Sequence, residues 1–446
     1  MQQHPSVILQ ASTTRQSVAS QASKAWETSA QGSNSTAVRH FNERRLLTVL
    51  RRLGEASKAD LARHLNLTQN TIGQIVHTLE QQGLVASSGR RMGQRGQPAT
   101  LLHLDPGGAY SLGIKLGRRS IDALLIDFTG VVLKSRRYDC LFPEPGEALA
   151  LILRGANAIR RALPPAQRNR LIGVGLALPS SLDRSRGEPG IPGDSWQGWQ
   201  DYDIAEHLRA ALNMPIFVEN DGTAAAVAEL FHGHGRELDD FACIYINSSI
   251  GGGIVLDGDY RRGVNGNAGD IGLIPVPPSG LAQTRDHLAA NRPGGETILL
   301  DRASGGALIR HLRANGATIV RAVDLHAAIR SHGGIVAEWV QDCAEALVAP
   351  LLSIARLLDV QAIILDGNLP VAIINAVVVR LRLLLAGAAP QFRQPPELRL
   401  GSSGNHAAAL GAALLPLHSR HGQASVAATT PHSAGAEGAS PGLPEA

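Results

Sequence analysis

The first sustained periodic pattern along the chain is helical and runs from residue 41 to residue 53. Its apolar positions recur on one helix face and its arginines lie on the other; the apolar positions are Leu46, Leu47, Val49, Leu50 and Leu53. Gly54 ends this predicted helix. Ser57 then predicts the cap of a second helix, with Asp60 three residues later as its capping-box partner.

A tight turn at residues 66–67 leads into a third predicted helix. Thr68 caps this helix, Gly83 ends it, and its inward-facing positions are Ile72, Ile75, Val76 and Leu79. A short helix, a turn and a second helix with this spacing are typical of a helix-turn-helix. A strand from residue 84, a loop over 89–98 rich in glycine and arginine, and a second strand then predict a wing.

Further along, short β-rich runs alternate with helical segments from residue 110 to about residue 417. Runs such as YSLGIKL, IDALLIDF, IGVGLAL and FACIYIN predict an α/β architecture with at least two sheets. Residues 1–37 and 418–446 have no sustained apolar period and are rich in small and polar residues. We therefore expect a disordered arm at one end and a disordered tail at the other.

Positive charge is concentrated in the helical N-terminal region. The chain as a whole has a net charge of +4, whereas residues 38–98 contain ten Lys and Arg against four Asp and Glu. Local positive charge indicates a polyanion partner, and with the spacing, caps and wing it predicts a winged helix-turn-helix DNA-binding domain over 38–104. The alternative is a helical bundle whose exposed polar face has no function.

Two groups of side chains are expected to contact double-stranded operator DNA. Amide and hydroxyl groups at the start of the third helix suit base edges in the major groove: Thr68, Gln69, Asn70, Thr71 and Gln74. Side chains at the start of the second helix and in the wing suit phosphates or the minor groove: Lys58, Arg90, Arg91, Arg95 and Gln97.

Composition excludes several other classes of protein. Hydrophobic residues make up 44% of the chain and charged residues 18%, which is a normal globular balance. The three cysteines are scattered, so they predict neither a disulfide framework nor a CxxC metal pair. The N-terminus does not resemble a signal peptide, and the most apolar long stretch, 346–365, is interrupted by Arg356 and Asp359. We expect a cytoplasmic protein without membrane partners.

Several runs in combination resemble the ROK family of repressors and sugar kinases, and in particular its xylose- and N-acetylglucosamine-type repressors. These runs include SKADLARHLNLTQNTIGQIVHTLEQQGLV, VENDGTAAAVAEL, SIGGGIVLDGDYRRGVNGNAGDIG and GSSGNHAAALGAALL. The resemblance covers about residues 40–415. It implies an actin/hexokinase-like ATPase fold of two subdomains over 105–417, with a sugar cleft near 220–270. It also implies a homodimer or homotetramer that responds to a sugar, a sugar phosphate or a partner protein.

Both phosphate loops that the resemblance implies are altered. The Asp-x-Gly-Gly-Thr loop of kinase members corresponds to residues 113–118, where Lys115 replaces the acid that helps to hold magnesium. The Gly-Thr-Gly-Ile-Gly-Gly-Gly loop corresponds to residues 247–253, which keep only the last three glycines. We expect these glycines to allow tight packing where the strand turns. The sequence therefore predicts no cofactor, no catalytic residue and no phosphoryl transfer.

The implied sugar site is only partly preserved. Asn220 and Asp221 match the Asn-Asp pair that contacts sugar in kinase members, and Asp270 matches the glutamate of Gly-Glu-x-Gly-His. We expect these three residues to bind an effector, although a pair between a strand and a helix also suits ordinary N-caps. Leu273 replaces the histidine of that motif, and residues 279–300 contain no cysteine. The family's zinc is therefore not expected, and we predict no metal site.

Taken together, these patterns predict a DNA-binding regulator of carbohydrate uptake or catabolism genes, acting as a repressor. Two alternatives stay open. One is a ROK sugar kinase with a fused regulatory DNA-binding arm. The other is a DNA-bound protein that is controlled by another protein and whose cleft is merely structural.

Overall fold

We describe the fold from a computed structural model of the chain, which describes residues 34–91, 99–179, 197–291, 294–319, 322–387 and 395–422. These ranges form an N-terminal head and a larger body built on two five-stranded sheets. The α/β fold class predicted from the sequence is confirmed. Across the described ranges, no helix has both the length and the apolar character needed to cross a bilayer.

The head is a three-helix unit with a small sheet. Its elements in chain order are α1 (Asn34–Leu53), β1 (Glu55–Ser57), α2 (Lys58–Leu65), α3 (Gln69–Gln81), β2 (Val85–Arg91) and β3 (Ala99–Leu104). Strand β3 pairs antiparallel with both β1 and β2. The hairpin β2–β3 is the predicted wing, whereas β1 was not predicted because three residues are too few to show an alternating pattern.

Local capping explains why the helices of the head begin and end where they do. The Ser57 side chain accepts a hydrogen bond from the Asp60 backbone N–H, and the Asp60 carboxylate accepts one from the Ser57 N–H. The predicted capping box is thus confirmed. Asn66 takes the left-handed conformation (φ 53°) that ends α2, and the Thr68 hydroxyl accepts the Thr71 N–H at the start of α3.

The first half of the body contains a five-stranded sheet in the order β6-β5-β4-β7-β8. Its elements are β4 (Tyr110–Leu116), β5 (Ser120–Ile126), β6 (Val132–Asp139), α4 (Pro145–Arg160), β7 (Leu171–Leu178), α5 (Ile204–Leu212), β8 (Ile216–Asn220) and α6 (Asp221–His232). The first three strands form an antiparallel meander, and the last two run parallel to β4. Helices α4 and α5 cover one face of this sheet.

The second half repeats this strand order as β11-β10-β9-β12-β13. Its elements are β9 (Phe241–Ile246), β10 (Ile250–Leu256), β11 (Asp259–Arg261), α7 (Ala282–Asn291), α8 (Leu299–Arg302), α9 (Gly305–Ala314), α10 (Ala322–Ser331), α11 (Gly333–Leu358), β12 (Ala362–Gly367), α12 (Val371–Ala386), β13 (Glu397–Leu400) and α13 (Ala407–His421). The body is therefore a duplication of one unit, in which β4 corresponds to β9 and α6 corresponds to α13.

The two corresponding helices, α6 and α13, pack against each other between the sheets. Small residues allow this close approach: Ala224, Ala225, Ala226, Ala408 and Ala412 are fully buried. A Cβ atom at Gly113 of β4 would overlap the Ala409 carbonyl oxygen of α13. The small residues thereby bring the two sheets close together. The N-terminus of α6, at Asp221, begins the segment near 220–270 where the family resemblance implies a sugar cleft.

The structure corrects two boundaries predicted from the sequence. Residues 34–37, assigned to the disordered arm 1–37, belong to α1, and residues 418–421, assigned to the tail 418–446, complete α13. His421, the last residue of α13, makes an edge contact with the Phe128 ring at 5.2 Å between centroids. Residues 1–33 and 423–446 lie outside the described part of the chain. The division between a head over 38–104 and a body over 105–417 stays a prediction.

Candidate functional site

The outer face of α3 presents the side chains expected to read bases. Gln69, Asn70 and Gln74 are exposed on this face, opposite the buried apolar residues of the same helix. The hydroxyls of Thr68 and Thr71 lie 2.9 Å apart and hydrogen-bond to each other. Since these hydroxyls stabilise the first helical turn, the three amide side chains are the groups best placed to reach base edges.

The side chains expected to contact phosphate lie on both sides of α3 in the sequence. Lys58 is exposed at the first position of α2. Arg90 and Arg91 end strand β2, although the structure describes only their backbone, and Arg95 and Gln97 lie outside the described residues. Strands β2 and β3 pair as far as Arg91 and Ala99, and residues 92–98 between them lie outside the described part of the chain. Contact of these residues with DNA stays a prediction.

The head docks on the body through α1. Leu46, Leu47 and Leu50 share one buried cluster with residues of β5, α6 and α13. The Arg51 side chain, 7% exposed, lies between the rings of Phe128 and Phe231, at 5.6 Å and 5.2 Å from their centroids. Its Nη2 donates to the Phe128 carbonyl oxygen at 3.2 Å. Burial lowers the pKa of Arg51 to about 10, so the guanidinium stays charged at neutral pH.

Removing this cation is expected to weaken docking of the head. The Arg51→Met variant keeps an apolar stem but loses the ring contacts and the hydrogen bond, at a cost of about 2–4 kcal/mol. In calorimetry we expect a separate, earlier transition of the head. The matched control is Arg45→Met on the same helix, where the cation lies 5.7 Å from the half-exposed Phe41 ring. An Arg51→Met protein that melts like the unmodified chain would contradict this role.

In the body, one face of the first sheet carries a row of charged side chains along the cleft. Directly opposite residues on the five strands, in spatial order, are Arg137, Asp122, Lys115, Ala177 and Glu219. Cross-strand partners point to the same side of a sheet. Arg137 pairs with Asp122 at 3.2 Å, and Arg262 pairs with Glu219 at 2.7 Å. Lys115 therefore stands in a row whose carboxylates are already paired with arginines.

Lys115 lies where the two halves of the body meet. It is 2% exposed, and its Nζ is 6.0 Å from the ring centroid of Tyr245 on the corresponding strand β9. Burial lowers the pKa of Lys115, whereas the charges of Asp122 and Asp221 act in the opposite direction. The segment that matches the first phosphate loop thus contains a buried lysine, and Asp122 and Asp221 only partly offset the effect of burial on it.

Asp221, the candidate acid of the sugar site, is engaged in the same arrangement. Its Oδ2 accepts a hydrogen bond from Asn247 Nδ2 at 2.7 Å, a contact that joins the two halves of the body. Burial raises the pKa of Asp221, and the charge of Lys115, the Asn247 hydrogen bond and the charge of Arg118 oppose this rise. On balance the pKa of Asp221 is raised, so these groups only partly offset the effect of burial on its carboxylate.

The other two candidate ligand residues lie in different elements, Asn220 next to Asp221 in the chain and Asp270 across strand β10. Asn220 Oδ1 caps α6 by accepting the backbone N–H of Gly222 at 2.8 Å, the structural role that the sequence had left open. Asp270 is half-buried at the start of a single 3-10 turn, Ile271–Leu273. Strand β10 lies between them, because Gly251 approaches Asn220 while Gly252 approaches the loop before Asp270. Whether these residues bind a ligand stays a prediction.

The three retained glycines lie inside strand β10 rather than at a turn. A Cβ atom at Gly252 would come within 2.5 Å of the Cys243 carbonyl oxygen, and one at Gly253 within 2.5 Å of the Ala226 Cβ. Both distances are too short for non-bonded atoms, so residue 252 must be glycine to lie against strand β9 and residue 253 must be glycine to lie against helix α6. Gly252 and Gly253 therefore have a structural reason that is independent of any phosphate, as the sequence suggested, although their position differs from the one expected.

Sequence patterns missed three residues that shape these sites. Arg51 adjoins the apolar face of α1, and Asp122 interrupts an otherwise apolar strand; in both cases a lone charge in an apolar run was the available signal. Tyr245 looked like one more apolar position of a buried strand. Only the duplicated topology brings it opposite Lys115.

Comparison with protein-family models gives two matches. The model of the ROK family matches residues 111–419, which is more than half of the chain and includes both five-stranded sheets. The model of the MarR family matches residues 42–90, which run from α1 into β2. The two matches are separated by residues 91–110, which include strand β3.

Individual proteins similar to this chain include both regulators and kinases. The xylose repressor of Bacillus subtilis is 24% identical over 245 residues, which are 55% of this chain and 63% of that repressor. The glucokinase of Halalkalibacterium halodurans is 25% identical over 317 residues, covering 68% of this chain and 93% of that enzyme. A solved ROK family transcriptional regulator, described as a homologue of the Escherichia coli Mlc protein, is 24% identical; it aligns with a TM-score of 0.62 over 86% of this chain and 98% of its own.

Proposed function

We propose that this chain, which belongs to the ROK family, is a DNA-binding transcriptional regulator that represses genes for carbohydrate uptake or catabolism. The observation that carries the proposal is the head: a helix-turn-helix with an exposed, amide-bearing α3, fused to a body of sugar-kinase fold. Phosphoryl transfer makes no use of such a head, whereas a regulator needs both parts. Similarity to a xylose repressor supports the choice of carbohydrate genes.

In this proposal each part of the head has a separate role on DNA. Gln69, Asn70 and Gln74 read base edges, and Thr68 and Thr71 hold the first turn of α3 against the groove. Lys58 and the wing arginines contact phosphates. One recognition helix covers only a half-site, so the active form is a homodimer on a palindromic operator in the cytoplasm.

The cleft of the body is proposed to sense a sugar or sugar phosphate without phosphorylating it. Asn220, Asp221 and Asp270 supply amide and carboxylate groups that suit hydroxyls. The effector shifts the relative position of the two heads through the Arg51 joint, because its affinity differs between the two arrangements. We expect no phosphoryl transfer, since Lys115 stands at the position of the magnesium-holding acid of kinase members and an amine cannot coordinate Mg²⁺.

DNA binding by the full-length chain is the direct test. A duplex selected by this protein from a random library should bind with an affinity that falls steeply with salt. Two heads with about four phosphate-contacting cations each predict about a 10⁴-fold loss between 50 and 200 mM salt. The affinity is measured by fluorescence anisotropy at a series of salt concentrations. Failure to select any duplex at low ionic strength would overturn the proposal.

A sugar kinase is the second candidate, because the glucokinase match spans 93% of that enzyme. Titration calorimetry with ATP and Mg²⁺ separates the two candidates. We expect no binding heat, since an amine cannot coordinate Mg²⁺ and Lys115 is buried in the altered loop. Micromolar binding of ATP together with transfer of the γ-phosphoryl group to a sugar would favour the kinase.

A further inference from the structure

The family resemblance implies a zinc site within residues 279–300, and the residues of this chain do not fit a metal there. Among the described residues, no group of three or more His, Cys, Asp or Glu side chains is arranged to hold a metal ion. The nearby His311 has both ring nitrogens engaged, at 2.9 Å from Glu338 Oε2 and 3.2 Å from Gln283 Oε1. A zinc ligand needs one of those nitrogens to be available.

A buried arginine occupies the region instead. Arg302, at the end of α8, donates from Nη2 to Asp342 Oδ1 at 2.8 Å and from Nε to Asp342 Oδ2 at 3.2 Å. Its Nη1 donates to the Pro277 carbonyl oxygen at 2.8 Å, and Ser279 Oγ donates to Asp342 Oδ1 at 2.8 Å. The Arg302 and Asp342 side chains are only 3% and 4% exposed. This bidentate ion pair, with the hydrogen bonds to Pro277 and from Ser279, links the 277–279 segment to helix α11.

The same arginine is connected to two loops of the cleft through the backbone around it. Leu299 N donates to the Ile274 carbonyl oxygen at 2.9 Å, which holds the segment that follows Asp270. On the other side, Gly305 N donates to the Asn247 carbonyl oxygen at 2.7 Å and Gly306 N to that of Ser248 at 3.0 Å. The Asn247 side chain in turn hydrogen-bonds to Asp221. Arg302 thus lies between the supports of both cleft loops.

We propose that Arg302 is a positioning residue for the effector cleft. In this proposal its ion pair with Asp342 holds the 277–279 segment against α11 without a bound zinc. This inference rests on the proposed function only in calling the cleft an effector site. Four acceptor oxygens converge on one guanidinium: both carboxylate oxygens and the carbonyl oxygen of Asp342, and the carbonyl oxygen of Pro277. This is a closed arrangement like that of a structural metal. The consequence is a cleft whose geometry does not depend on zinc supply.

The metal-independence is tested on the full-length, unmodified chain. Elemental analysis after purification without chelator should find less than about 0.1 zinc per chain, and EDTA should leave the Tm unchanged. Stoichiometric zinc, or a Tm that EDTA lowers, would overturn the proposal. Neither measurement uses DNA or a sugar, so their failure leaves the proposed function standing.

The positioning role is tested by hydrogen exchange on single variants. Arg302→Met should speed exchange of the Gly305 and Gly306 amides at least about tenfold, because these bonds open locally once the tie is lost. Amides of α3 in the head should be unaffected. Arg302→Lys, which keeps the charge without the fork, should restore part of the protection. Arg330→Met, an exposed arginine of the same half, is the matched control.

Two outcomes would contradict this role. One is unchanged exchange at Gly305 and Gly306 in Arg302→Met, and the other is faster exchange spread evenly over head and body. If Arg302→Met does not fold, Arg302→Lys gives the same readout, with intermediate exchange expected at those two amides. If the Gly305 and Gly306 amides of Arg302→Lys exchange as slowly as those of the unmodified chain, a positive charge alone is sufficient. That result would overturn the role of the bidentate guanidinium contact.

Discussion

Replacing Gln69, Asn70 and Gln74 together with alanine is expected to abolish sequence-specific DNA binding. Each amide that pairs with a base contributes about 1–3 kcal/mol of discrimination, so the triple variant should lose about 10²- to 10⁶-fold in affinity for the selected duplex. All three side chains are exposed and make no part of the buried core of the head. The thermal stability of the protein should therefore stay within about 0.5 kcal/mol of the unmodified chain.

The measurement compares binding to the selected duplex with binding to a scrambled duplex. Gln82→Ala is the matched control, since Gln82 is an exposed glutamine at the opposite end of α3. Non-specific binding and its salt dependence should survive in the triple variant, because Lys58 and the wing arginines are untouched. A triple variant that still prefers the selected duplex would show that base reading lies elsewhere in the chain.

The head could be predicted from sequence because its signals are local. The Ser57–Asp60 box, the turn at Asn66 and the Thr68 cap each involve residues within a few positions of one another. A helix-turn-helix is assembled from such short-range features, so reading them in order was sufficient. The end of α13 was less predictable, because its last residue, His421, contacts Phe128, which is distant in the sequence.

The cleft was less accessible to sequence reasoning because its key contacts join distant parts of the chain. The substitution of an acid by Lys115 was visible, but not that Asp122 and Asp221 neutralise it, or that Tyr245 lies above it. Likewise, the absence of cysteine from 279–300 was visible, while the buried Arg302–Asp342 pair depends on the packing of α8 against α11. The motifs show which family residues are absent, whereas the contacts that this chain makes at those positions are visible only in the structure.

Removing the buried cation of the cleft is expected to produce the largest loss of stability. In Lys115→Met the Asp221 carboxylate keeps its Asn247 hydrogen bond but loses its principal neighbouring charge. The Asp221 charge then stays desolvated with one compensating charge fewer, which costs up to about 3–5 kcal/mol. Urea unfolding at neutral pH measures this cost. Lys134→Met, an exposed lysine on the same sheet, is the matched control and should change stability little.

The pH dependence of the stability loss in Lys115→Met tests whether the Asp221 carboxylate causes that loss. Burial already raises the pKa of Asp221, and loss of Lys115 removes the largest opposing influence, so the pKa rises further in the variant. A carboxyl group whose folded pKa exceeds its unfolded value favours folding at low pH and loses that contribution as pH rises through the folded pKa. The destabilisation should therefore be greatest at pH 7.5 and shrink towards pH 5.

Adding Asp221→Asn to Lys115→Met should recover much of the loss at pH 7.5, because no uncompensated charge remains at that position. A loss that is equal at both pH values, or that the second substitution does not reduce, would mean that Lys115 stabilises the cleft by packing on Tyr245 and not by neutralising Asp221.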